Sequence, residues 1–211
     1  LIPFSGEIYN LLSIPLLNAL PSGSEMIAID VASPFLIPFK LVVYLSIFTA
    51  IPYILFHIWS FVAPGLYNHE KKLVLPLIVS SSILFYLGAL FAYFIVFPLI
   101  FVFFVGIAPT DVAVMTDIGR YLDFVIALFF AFGFAFEVPI VTVLLITTGI
   151  TTREKLSLKR PYIIVGAFTL GMLLTPPDVI SQILLALPMW LLYELGLYFS
   201  QYFKIRKIPS S

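Results

Sequence analysis

Two carboxylates carry the chemistry this chain has to offer. Glu137 stands in an uninterrupted apolar segment from about Tyr121 to Thr148, within the run F-G-F-A-F-E-V-P-I-V. At about 1.5 Å per residue it lies roughly 16 Å from the segment's C-terminal end, near the middle of a hydrocarbon core about 30 Å thick. An acid at that depth costs at least a few kcal/mol, so it needs a partner, a cavity or a task. Two readings stay open: a protonated acid bonded to a neighbouring helix, and a site for a polar partner or a moving proton. Pro139 removes one backbone donor and frees the carbonyl of Ala135, which predicts a bend beside the acid. Ser181 and Gln182, polar residues in a later apolar segment, are candidates to hydrogen-bond with Glu137 or with a partner.

The second carboxylate is Glu70, in the loop Phe61-Val62-Ala63-Pro64-Gly65-Leu66-Tyr67-Asn68-His69-Glu70-Lys71-Lys72. One acid among cations either satisfies Lys71 or a helix N-terminus, or docks a cationic ligand. A carboxylate holds an arginine guanidinium bidentately, and Phe61 or Tyr67 would stack on it. His69-Glu70-Lys71-Lys72-Leu73 opens like a zinc-protease motif but lacks the second histidine four residues after the first. His57 stands alone, and there is no G-x-S-x-G, no phosphate loop and no pair of intramembrane aspartates. No catalytic residue, metal site or cofactor is assigned, and no enzyme activity is expected. Arg120 and Asp123, three residues apart, read as a local pair. Glu194, about a turn from the end of the last apolar segment, is expected to snorkel to the surface.

The elements that must position these groups are membrane helices. Hydrophobic residues make up 62% and charged ones 10% of the 211 residues, against about 25% charge in a soluble domain. The apolar runs far exceed the roughly ten residues of a barrel strand, so the class is all-α. Net charge is zero, which implies no nucleic-acid field, and with no cysteine there is no disulfide or thiolate chemistry. Five spans are predicted: Phe39–Ser60, Leu73–Val105, Gly119–Thr148, Pro161–Leu174 and Val179–Phe199. The second is near 50 Å long and must tilt or project, whereas the fourth is near 21 Å and predicts local thinning. Thr175-Pro176-Pro177-Asp178 is the turn between the last two. Pro52, Pro76, Pro98, Pro139 and Pro188 recur within the spans and predict bent helices, and Gly88-x-x-x-Ala92 permits close helix approach.

Nine basic residues fall on one side of this arrangement: Lys71, Lys72, Arg153, Lys155, Lys159, Arg160, Lys204, Arg206 and Lys207. The opposite loops carry Asp111, Asp117 and Asp178, with only Lys40 and Arg120 at span edges. The basic side is therefore expected to be cytoplasmic. Residues 1–38 form an external cap, residues 39–203 the bundle and residues 204–211 a cytoplasmic tail. In the cap, Ile8, Leu11, Leu12 and Leu16 recur at helical spacing and predict a short amphipathic helix that Pro15 bends. Met26–Val31 alternates weakly. The chain begins at Leu1 with no basic flank, reading as a fragment. An odd span count with an external start predicts one further N-terminal span, six in all.

Five strings in order resemble the TatC family: F-V-A-P-G-L-Y-x-H-E-K-K, S-S-x-L-F-Y-L-G-A-x-F-A-Y-F, F-G-F-x-F-E-V-P, K-R-P-Y-x-x-V-G-A-F and G-M-L-L-T-P-P-D-V-I-S-Q. This family is the multi-span subunit of the bacterial twin-arginine protein translocase, and the likeness extends from Ile8 to about Phe203. It implies a six-span, glove-shaped bundle in the cytoplasmic (inner) membrane with both ends cytoplasmic and residues 1–38 periplasmic. It also implies recognition of twin-arginine signal peptides of folded precursors, and transport driven by the proton-motive force without nucleotide hydrolysis. By position, the signal-peptide acid is Glu70, with Phe61, Tyr67 and His69 around it. The buried acid associated with the single-span TatA and TatB subunits is Glu137, with Pro139 and the polar position Gln182. Pro15, Phe35 and Asp178 match external positions of functional weight, and self-association in a multi-subunit receptor complex is implied. The rival reading is a proton-coupled small-solute transporter with Glu137 as relay. It calls for an internal repeat, which the unequal spans do not show.

Overall fold

A computed structural model describes residues 2–20, 26–62, 71–107, 115–174 and 179–202. Within them the regular structure is helical apart from one pair of two-residue strands. Its helices are α1 (Ser5–Leu17), α2 (Ser33–Val62), α3 (Lys71–Phe91), α4 (Phe97–Ile107), α5 (Ile118–Ala135), α6 (Val138–Thr147), α7 (Arg153–Ser157), α8 (Arg160–Leu174) and α9 (Val179–Phe199). Four stretches are long and apolar enough to cross a membrane: Ser33–Phe61, Leu75–Ile107, Ile118–Thr147 and Gln182–Tyr202. Helix α8, the fourth expected span, is shorter at 15 residues. Helices suit these sequences because a bilayer offers no water to an unpaired backbone group.

The chain divides into two compact units. The first comprises Leu1–Ile51 and Ala89–Phe130. Its core joins Ile37 and Leu41 of α2 to Leu122 and Ile126 of α5, with Ile8, Tyr9 and Leu12 of α1 packed against them. Helix α1 therefore turns its Ile8 and Leu12 side inward and leaves Leu11 exposed. It runs through Pro15 without a break. Proline has no N–H for the carbonyl four residues back, and that carbonyl, of Leu11, accepts the Tyr93 hydroxyl at 2.6 Å. The neighbouring Leu12 carbonyl accepts Tyr121 at 2.5 Å. The weak alternation at Met26–Val31 yields only β1 (Met26–Ile27), paired in parallel with β2 (Thr116–Asp117). Asp117 then caps α5: one carboxylate oxygen accepts the N–H groups of Gly119 and Arg120 at 3.0 and 2.9 Å, and the other accepts Ile29 N–H at 3.0 Å.

Between α3 and α4 the helix passes through a π turn at Ala92–Val96, where Phe97 N–H bonds back to Ala92. A π turn holds one extra residue, and so sets back the succeeding turns by about 100° of helix rotation. That keeps Phe97, Ile100 and Phe101 on the buried side with Ala89 and Ala92.

The second unit comprises Pro52–Gly88 and Ala131–Ser211. Small residues bring its helices close. A Cβ on Gly133 would meet the Phe85 ring at 2.5 Å, and one on Gly88 would meet the Phe132 carbonyl carbon at 2.9 Å. One on Gly196 would meet Pro139 Cα at 2.8 Å and Thr142 Cβ at 2.9 Å. Ala135, Ala167, Ala186, Met189 and Leu192 form one buried cluster; Ile146, Tyr193 and Leu197 form another. Gly149, at φ 76°, ends α6 in the left-handed conformation that glycine adopts without strain. Tyr193 donates to the Leu156 carbonyl at 2.7 Å, tying α7 to α9.

Two expectations for charged residues are corrected. Asp123 forms its ion pair with Lys40 of α2, not with Arg120. Packing of Ile37 and Leu41 of α2 against Leu122 and Ile126 of α5 brings Lys40 to the carboxylate. Glu194 does not reach free into solvent: Arg160 holds it with two parallel bonds, Nε to Oε1 at 2.5 Å and Nη2 to Oε2 at 2.8 Å.

Candidate functional site

The best-formed polar site is the break between α5 and α6. Phe136 N–H still bonds to Phe132 and Glu137 N–H to Phe134, but Pro139 has no N–H to carry the ladder onward. The helix restarts at Val138, with Pro139 in its first turn, where a missing donor does no harm. The bend expected beside the acid is therefore present as an interruption centred on Glu137.

The Glu137 side chain points inward and is 6% exposed. The Ser81 hydroxyl of α3 donates to its Oε2. Ser81, fully buried, in turn accepts the indole N–H of Trp59 from α2 at 2.9 Å. The other carboxyl oxygen, Oε1, is buried with no hydrogen-bond partner. The site thus joins three separate helical segments through one chain of hydrogen bonds and leaves one acceptor or donor position open. Ser81 and Trp59 were not singled out from the sequence. The signal for them was present: a hydroxyl inside an apolar span and an indole near a span end each require a partner.

Gln182 sits on α9 with its backbone 3.4 Å from where a Cβ on Gly171 would lie. Among the described residues no hydrogen bond joins it to Glu137, whose partner is Ser81 instead. Of the signal-peptide candidates, Phe61 stands one residue before the end of α2 and is 87% exposed; Tyr67, His69 and Glu70 lie outside the described residues. Of the external positions, Pro15 is buried in α1. Phe35 is exposed, its ring centroid 5.0 Å from that of Phe39. Asp178 lies outside the described residues. At the β1–β2 pair, the Asp117 carboxyl is held below its usual range, first by Ile29 N–H and then by those of Arg120 and Gly119. Burial, and then the Asp117 charge, push the Tyr9 hydroxyl up, so it stays neutral and donates to the Ile118 carbonyl. Among the described residues no group of acidic, histidine or cysteine side chains is arranged to hold a metal ion.

The model of the family described as Sec-independent protein translocase protein (TatC) matches residues 1–188. The chain belongs to the TatC family. The TatC protein of Azotobacter chroococcum mcd 1 is 56% identical over 208 residues, which cover 99% of this chain and 82% of that protein. That of Escherichia coli (strain K12) is 57% identical over 203 residues, covering 96% of this chain and 79% of its own length. A crystal structure of a "Twin Arginine Translocase Receptor- TatC" superposes with a TM-score of 0.85 at 38% identity, over 95% of this chain and 88% of that one. The resemblance read from the five motifs is borne out. As a TatC protein, the chain is an all-helical, multi-pass membrane component of a Sec-independent protein translocase, and TatC is not an enzyme family.

Proposed function

We propose that this chain is the receptor subunit for twin-arginine signal peptides, in the bacterial inner membrane with its Lys- and Arg-rich loops cytoplasmic. Glu70 grips the paired arginines by charge-assisted, bidentate hydrogen bonds, with Phe61, Tyr67 and His69 lining the approach. Glu137, with Pro139 opening the helix beside it and Gln182 near the start of α9, takes a polar group from a helix of a TatA-like or TatB-like subunit. Pro15, Phe35 and Asp178 belong to the external face of the same assembly, in which several copies of the receptor associate. Transport of the folded precursor draws on the proton-motive force.

The observation that carries this reading is Glu137: a nearly fully buried acid in a membrane helix with one oxygen unengaged is expensive to keep, and a translocase that must take up partner helices gives it a use. Membership of TatC and the likeness to a structure named as a twin-arginine translocase receptor support the signal-peptide half. The exposed Phe61, nine residues before Glu70 in sequence, supports the placement. Helix α8, at 15 residues, is about 22 Å long; beside it the bilayer thins, easing passage of cargo. Lipid probes reporting normal thickness beside α8 would defeat that step.

The test is a photo-crosslinker at Phe61 in the full-length protein in membranes. A twin-arginine signal peptide is compared with its twin-lysine version, with and without Glu70→Gln. Crosslinking that needs both the arginines and Glu70 is the expected result. Equal crosslinking of both peptides, indifferent to Glu70→Gln, would overturn the receptor reading.

A further inference from the structure

The hydrogen bonds around Glu137 carry a direction. An indole N–H donates and never accepts, so Trp59 fills one lone pair of Ser81 Oγ. Ser81 has a single hydroxyl proton, and the arrangement gives it to Glu137 Oε2. Oε2 is therefore an acceptor and carries no proton of its own. Any proton the acid holds sits on Oε1, the oxygen that is buried and unpartnered.

We infer that Trp59 and Ser81 are positioning residues, a directed relay that makes Glu137 Oε1 the one atom of the acid through which a proton or a hydrogen-bonding side chain of an incoming membrane helix engages it. This rests on the proposed role of Glu137 in partner uptake and adds the atom, its orientation and the two residues that set it. The burial of Ser81 and Glu137 isolates the relay from solvent. The helices of this unit approach closely: Gly133 leaves room for the Phe85 ring, and Gly196 seats Pro139 and Thr142 against α9. Oε1 is itself buried, so an incoming side chain reaches it only as the packing over the acid opens, while Ser81 keeps the carboxyl oriented. The class of ligand follows from the geometry: a single amide, hydroxyl or protonated carboxyl on an apolar helix.

The test uses the full-length protein in membranes with its single-span partner subunits, labelled with ¹³C-carboxyl glutamate. The Glu137 infrared band is identified as the one lost in Glu137→Gln. Ser81→Ala is expected to shift that band, because Oε2 loses its donor, and Trp59→Phe to shift it less. Site-specific crosslinking of a partner helix beside Glu137 is expected to fall about three- to tenfold in Ser81→Ala, with no further fall when Ser81→Ala is added to Glu137→Gln. A band unmoved by Ser81→Ala overturns the relay. So does a crosslinking loss of equal size in the Glu137→Gln background, which would mark Ser81 as packing only. If Glu137→Gln leaves crosslinking unchanged, partner uptake at this acid fails instead, and the infrared band still decides the relay alone.

Discussion

The two units differ in how they treat polar groups. In the unit of Leu1–Ile51 and Ala89–Phe130, the polar side chains of the packed region close on one another or on the backbone. Tyr9, Tyr93 and Tyr121 each donate to a carbonyl, Asp117 accepts three N–H groups and Lys40 neutralises Asp123. In the unit of Pro52–Gly88 and Ala131–Ser211 the pairing is left unfinished. The two buried side-chain polar atoms without a partner among the described residues, Glu137 Oε1 and Trp190 Nε1, both belong to it. An unpaired buried polar atom costs on the order of 1–3 kcal/mol. Where pairing is complete, polar groups serve the fold; where it is incomplete, the fold carries a cost that its own packing does not offset.

The largest effect that would break this contrast is expected at Glu137. Replacing it by alanine should reduce export of a folded twin-arginine reporter by at least about tenfold. Thermal stability in detergent should change little, since removing a half-paired buried acid is offset by the lost acceptor of the Ser81 hydroxyl. Lost stability with normal export would make the acid structural and erase the difference between the units. Next come the close approaches. Gly133→Ala and Gly196→Val force side chains into the Phe85 ring and the Pro139 backbone, and each is expected to cost about 1–3 kcal/mol in denaturation. Smaller still, Tyr121→Phe removes the bond to Leu12 and should cost about 1 kcal/mol while export stays near normal. The smallest effect concerns pH. Asp117 is held below its usual 3.8, so the stability it adds is complete above about pH 4 and lost as pH falls through its lower folded value. Hydrogen exchange at Ile29 N–H should quicken over that fall, and Asp117→Asn should flatten the dependence.

The spans were legible because apolar length is a one-dimensional signal. Val179–Phe199 falls where the hydropathy put it, and Pro161–Leu174 gains only Arg160. The first span starts six residues earlier than expected, at Ser33, because Lys40 is neutralised by Asp123 and need not mark the edge. Glu137 announced itself by its cost. The groups that hold it did not: Ser81 lies 56 residues away in sequence, and Trp59 a further 22. The same limit hid the Asp117 bond to Ile29, across 88 residues, and led Asp123 to be paired with Arg120 and Glu194 to be read as snorkelling. Periodicity reports which side of a helix is apolar; it does not report which polar group on another helix will meet it. The family motifs supplied that information only in outline, since they marked the S-S run without saying that its serine serves the acid.

The π turn at Ala92–Val96 bears on how this helix tolerates insertions and deletions. Elsewhere in a packed helix, losing one residue would swing every later side chain by about 100° and bury the wrong ones. Here the chain already contains one residue beyond an even helical count. Deleting a residue inside the turn would restore a plain α-helix with Phe97, Ile100 and Phe101 still facing the positions they occupy now. A length change that would ruin any other stretch of the span would at this point be absorbed by straightening the helix. The turn is a site where the gene could lose a codon and the fold keep its frame.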